Sequence, residues 1–274
     1  MAADAVETKA ELWGRLWGTR ADEWASTEEQ QLPTYEVAID RLGIRAEDRV
    51  LEVGCGSGVF LRAAADRGAA VTGIDSSERL VELARARAPE AEVSVGDLQA
   101  LPYADGSFDV VAGFNSFFFA DDIVVALREA GRVARPGGKV AIQVWGRHGT
   151  CALDAIKPIV RPFFPGADPN APPPPDLAEP GRLERLATAA GLTPAEAFDV
   201  SWAYVYEDED ALTRGLLAAG GVGESTGDRE PEVRRALVDV LAPYRTPDGG
   251  YRLPRGLPRR DRVTGSAAQS STTG

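Results

Sequence analysis

Val50-Leu51-Glu52-Val53-Gly54-Cys55-Gly56-Ser57-Gly58 decides how this chain is read. An apolar strand runs straight into a turn with glycine at every second position. A helix then opens at Val59-Phe60-Leu61-Arg62-Ala63-Ala64-Ala65. Glycine in such a turn lets backbone approach a ligand closely, because no Cβ intervenes. The free N–H groups of the new helix point at the same spot. The turn is therefore either a nucleotide-type site or an ordinary glycine-rich connection. A dinucleotide fingerprint wants a third glycine or alanine three residues after the second. That position is Val59, so G-x-G-x-x-G fails and G-x-G-x-G stands.

The residues that follow repeat the strand–helix rhythm. Ala70-Val71-Thr72-Gly73-Ile74 reads as a second strand ending in Asp75-Ser76-Ser77. An acid there can accept hydrogen bonds from ribose hydroxyls. Read without the glycine turn, Asp75 is only a cap for helix 78–87, where Ser76 or Ser77 would serve as well. A third strand, Glu92–Val95, precedes Gly96-Asp97-Leu98. Leu101-Pro102-Tyr103-Ala104-Asp105-Gly106-Ser107-Phe108-Asp109-Val110-Val111 leads into a fourth, which ends at Gly113-Phe114-Asn115-Ser116. Leu127, Ala130, Val133 and Ala134 lie at helical spacing, and Pro136-Gly137-Gly138 cannot continue that helix. Val140–Trp145 is the fifth strand.

Together these segments resemble the class I S-adenosylmethionine-dependent methyltransferases of small-molecule type. The G-x-G-x-G turn after Glu52 is similar to their motif I, and 101–111 to their "LPF-D-SFDVV" signature. The resemblance implies a doubly wound α/β fold, with a mostly parallel seven-stranded sheet of order 3-2-1-4-5-7-6 and an N-terminal helical cover. It implies S-adenosylmethionine as cofactor. The expected cofactor residues are Glu52, Gly54, Cys55, Gly56, Gly58, Asp75, Ser76, Asp97, Leu98 and Asn115. Asp75 would take the ribose and Asp97 the adenine amino group, with Leu98 against the ring. On this reading Asp75→Ala weakens cofactor binding and leaves the fold intact.

The expected layout is a cover at 1–45, a cofactor core at 46–146, a substrate side at 147–253 and a disordered tail at 254–274. Trp13 and Trp17 sit on an amphipathic N-terminal helix, either folding over the cofactor or packing on the sheet. Trp24, Phe117, Phe118 and Trp145 are expected on the substrate, one of Phe117, Phe118 and Phe119 meeting the acceptor or the methyl group. The stretch after the fifth strand, with Pro172–Pro175 extended and semi-rigid, is expected to border the acceptor pocket. Phe198–Tyr206 reads as one sixth strand with an aromatic stripe that suits core or ligand platform. Gly250–Leu253 resembles the family's closing strand, but Pro254 and Pro258 follow, so the last strand is expected short or missing. The arginines 252, 255, 259, 260 and 262 read as a solvated tail or a contact for an acidic partner.

The chain's single histidine, His148, stands past the fifth strand on the cofactor edge. It is the candidate general base, with Asp121 and Tyr206 behind it, and a base would help an oxygen acceptor by about 10²–10⁴-fold. With 274 residues and 44% hydrophobic content, the chain can bury a sizeable core. The net charge of −12 disfavours a nucleic-acid partner. Two cysteines give no disulfide framework. No apolar run approaches the roughly 20 residues needed to span a bilayer. No metal site is expected. The expectation is a cytoplasmic enzyme methylating a small aromatic or apolar metabolite, with O, N and C acceptors and secondary metabolism all open. A homodimer is compatible with it. The alternatives are a cofactor-binding partner protein without turnover, and a protein or RNA methyltransferase.

Overall fold

The computed structural model describes residues 7–146, 148–164, 167–168 and 176–255, together with the backbone of 263–267. Three helices come first: α1 (Lys9–Gly18), α2 (Ala21–Glu29) and α3 (Leu32–Leu42). Thr8 opens α1 with a reciprocal cap, its hydroxyl accepting the Glu11 N–H while Glu11 accepts the Thr8 N–H. Gly43 closes α3 at φ 66°, a left-handed position that favours glycine.

The core then alternates: β1 (Arg49–Val53), α4 (Val59–Ala65), β2 (Ala70–Asp75), α5 (Glu78–Arg87), β3 (Glu92–Val95), β4 (Phe108–Phe114), α6 (Ile123–Val133) and β5 (Ala134–Gln143). β1 to β5 pair in parallel in the order 3-2-1-4-5. One sheet face is covered by Ile39, Phe60, Leu61 and Val81, the other by Leu127, Ala130 and Leu183. Parallel strands buried on both faces carry near-continuous apolar runs, which is why Val50-Leu51 and Val110-Val111 show no alternation.

Beyond β5 come α7 (Lys157–Val160), α8 (Arg182–Ala189), β6 (Thr193–Phe198), β7 (Trp202–Tyr206), α9 (Glu209–Ala218), α10 (Val222–Thr226), α11 (Glu230–Leu241), β8 (Tyr251–Arg255) and β9 (Val263–Ala267). The expected sixth strand is two strands. β6 stays in the main sheet, whereas β7 leaves it after Asp199–Ser201 and pairs with β8 in a separate two-stranded sheet. Gly250–Leu253 therefore does not close the main sheet. β9 does, antiparallel to both β5 and β6, and completes the order 3-2-1-4-5-7-6 as its seventh strand.

Two expectations about the C-terminus are thereby corrected. The seventh strand is present, and 263–267 belong to the sheet rather than to a disordered tail. Pro254 is accommodated because at its position β8 pairs with β7 alone, the further bridges to Arg245 and Cys151 forming at Tyr251 and Arg255. Arg255 is no solvated tail residue: it is buried, its guanidinium carbon 4.0 Å from the Trp145 ring centre. Pro172–Pro175 and Arg259, Arg260 and Arg262 lie outside the described residues. No helix among the described residues is long and apolar enough to cross a membrane.

Candidate active site

Each glycine of the turn meets a different neighbour. A Cβ on Gly54 would strike the Ser116 side chain at the end of β4. One on Gly56 would fall 2.6 Å from a Glu28 carboxylate oxygen of α2. One on Gly58 would fall 2.9 Å from Ala84 of α5. All three have positive φ. Gly54 and Gly56 face the cavity beneath the cover, while Gly58 serves the packing of α4 on α5. Cys55 likewise faces away from the cavity, fully buried with its sulfur against Gly73.

Asp75 ends β2 on the cavity wall. Its carboxylate accepts the Gly56 and Ser77 N–H groups, each at 2.9 Å. Burial pushes its pKa up, and those N–H bonds pull against the rise. Ser77 supplies the cap of α5 through its own hydroxyl, so capping does not occupy Asp75. Because Asp75 also ties down the turn, Asp75→Ala cannot leave the local fold untouched, a correction to the simpler expectation. Ser76, Asp97 and Leu98 line the same lobe. Asn115 does too, at φ 55°, with its Nδ2 donating to Gln31 at 3.4 Å and its buried Oδ1 unpartnered.

Glu52 lies beneath the cavity rather than on its wall. It is 1% exposed, and one carboxylate oxygen has no partner. Burial, reinforced by Glu28 and Asp75, drives its pKa well up. Glu28, which sequence reasoning passed over, reaches the glycine turn from α2 and accepts the Ser57 N–H at 2.8 Å. Burial raises its pKa to about 7.

The cavity encloses about 250 Å³ and runs on into an apolar half. Trp145, Leu153, Ile156, Phe164, Tyr204 and Leu216 line that half. Trp24 is on the wall, as are Trp13 and Trp17. Phe119 packs against both of these, with ring centres 4.7 and 5.8 Å away. Of the three phenylalanines it is Phe119 that faces the cavity. Phe117 is a core residue 2% exposed, and Phe118 packs on Phe119 away from the wall. The placement of substrate contacts at Phe117 and Phe118 is therefore corrected.

His148 is not on the wall either. It is exposed, and its backbone N–H donates to Asp176 at 2.9 Å. Asp121 is also exposed, whereas Tyr206 lines the cavity with burial pushing its hydroxyl pKa far up. His148→Ala is expected to change kcat and cofactor affinity less than twofold, since a surface substitution away from the site leaves the reaction geometry alone. Steady-state kinetics check this, and a tenfold loss would restore the histidine as base.

The residues present fit an adenosyl cofactor carrying a cation. The turn excludes side chains, acids stand at two strand ends, and Asn115 and Glu52 each hold an unpartnered oxygen in or under the cavity. Residues 51–142 match the family described as "Methyltransferase domain". The 27-O-demethylrifamycin SV methyltransferase of Amycolatopsis mediterranei is 38% identical over 146 residues, 48% of this chain and 54% of that protein. The match thus spans about half the length of that relative. An uncharacterised protein of Mycobacterium bovis is 28% identical over 87% of this chain and 93% of its own length. Among solved structures, a methyltransferase in complex with the Haloferax volcanii Trm112 methyltransferase activator superposes with TM-score 0.58 at 23% identity. That superposition covers 93% of this chain and 96% of the other. The sheet order 3-2-1-4-5-7-6 is that of the class I methyltransferase fold, and the match to the methyltransferase domain lies within its core, residues 51–142.

Proposed function

We propose that this chain transfers the methyl group of S-adenosylmethionine to a small, largely apolar acceptor. The observation that carries the reading is one cavity that joins Gly54, Asp75 and Asp97 at one end to Trp145, Tyr204 and Leu216 at the other. The cofactor supplies a methyl already activated on a sulfonium. This chain's residues then have to bind, orient and keep water out. Asp75 would hold the ribose hydroxyls, and Asp97 with Leu98 the adenine. The tryptophans of α1 and α2 cover the site from solvent. Orientation of this kind is worth roughly 7–11 kcal/mol in favourable cases.

Two facts support a small acceptor. The acceptor half is apolar and enclosed by residues 153–164 and by α9, and the chain's net charge of −12 is unsuited to an RNA backbone. The similar Amycolatopsis protein is named for a small molecule, 27-O-demethylrifamycin SV. The test is to incubate the protein with radiolabelled S-adenosylmethionine and pooled small-molecule extract. Label is expected in an organic-soluble product. Tight cofactor binding with label in no product would instead mean a cofactor-binding partner protein.

A further inference from the structure

We propose that Glu28 is the residue that receives the ammonium end of the methyl donor, so that the N-terminal cover itself supplies a counter-charge for the cofactor. This rests on the methyltransferase reading and deepens it. Glu28 is 4% exposed and lines the cavity with Gln31, Gly54 and Gly56. Both of its oxygens lie within 2.7 Å of where a Gly56 Cβ would stand, so nothing separates this carboxylate from the turn.

Its surroundings are short of positive charge. Half-buried Asp75 from β2 and buried Glu52 from β1 are the other acids here, with Tyr35 from α3 and Cys55 of the turn beside them. The cation acting on Glu28 is Arg87 of α5, and its guanidinium donates to the Ser57 carbonyl and hydroxyl. Burial disfavours the charged form of Glu52, so among the described residues Asp75 and ionised Glu28 face one engaged guanidinium, and a buried carboxylate calls for a partner. A carboxylate has about four acceptor positions, of which the Ser57 N–H and hydroxyl take two, leaving room for an ammonium's donors. Protonation of Glu28 near neutrality fits a carboxylate waiting for its cation.

Calorimetry with two ligands tests this. S-adenosylhomocysteine keeps the amino-acid end, and 5′-methylthioadenosine lacks it. If only ionised Glu28 receives the ammonium, wild-type affinity for S-adenosylhomocysteine rises about tenfold between about pH 6 and about pH 8. Methylthioadenosine affinity stays flat. Glu28→Gln then abolishes the slope and lowers S-adenosylhomocysteine affinity about tenfold at the higher pH, while methylthioadenosine binds as before. A variant that keeps both slope and affinity overturns the proposal. So does an equal slope for the two ligands in the wild type, which would make Glu28 a latch on the turn and nothing more. That wild-type contrast decides the matter even if the variant does not fold. Failure of the wild type to bind either nucleoside would overturn the methyltransferase reading itself, and this proposal with it.

Discussion

Asp75→Ala is expected to weaken S-adenosylhomocysteine binding by roughly 10²–10⁴-fold. The proposed ribose contact involves two hydroxyls on one carboxylate, and a hydrogen bond to a charged group is worth about 1.5–3 kcal/mol. The same change strips the acceptor from the Gly56 and Ser77 N–H groups. A buried donor left unsatisfied costs about 1–3 kcal/mol, so the thermal midpoint falls as well. Asp75→Asn separates the two effects only in part, because its NH₂ would face one of those N–H donors. Calorimetry run beside thermal unfolding reads both. Undiminished affinity, with or without a lower midpoint, would put the ribose somewhere other than the end of β2.

The structure also shows which parts of a sequence announce themselves. The turn after β1 and the acid ending β2 were legible because local chemistry fixes them: positive φ and a strand end. The helix does end ahead of Pro136-Gly137, but β5 starts at Ala134 and runs through them to Gln143, six residues earlier than the expected start at Val140. The break between β6 and β7 was not. Phe198, Val200, Trp202, Tyr204 and Tyr206 alternate without interruption, and period-2 alternation does not say which sheet a strand joins. β9 was hidden for the opposite reason. Val263-Thr264-Gly265-Ser266-Ala267 has little apolar patterning, and its place comes from main-chain pairing with β5 and β6. Glu28 sits in Ser26-Thr27-Glu28-Glu29, a run that looks like a solvated helix face. Only the landing of α2 on Gly56 buries it. His148 stands at the sequence position a base would occupy, yet its loop turns it to solvent.

The three consecutive phenylalanines make the sharpest contrast between core and wall. Phe117 lies against Gly113, where a Cβ would collide with its ring, and joins Leu51, Val53, Leu127 and Ile142 in one core cluster. Phe117→Ala is expected to cost about 3–5 kcal/mol of stability, the range for emptying a buried aromatic position. Against a net stability of about 5–15 kcal/mol, that is enough to lower the denaturant midpoint severely or to unfold the protein. Phe119, two residues on, is half-buried between Trp13 and Trp17 and faces the cavity. Its replacement by alanine removes part of the wall and little of the core. Phe119→Ala should therefore melt close to the wild type but raise the acceptor KM about tenfold, matching about 1.4 kcal/mol of lost apolar contact. Denaturant unfolding and steady-state kinetics on the two variants read these separately. If Phe117→Ala keeps its midpoint while Phe119→Ala loses it, the short helical turn after β4 presents the opposite ring to the ligand. The acceptor would then approach from the side of α6, not from beneath the N-terminal cover.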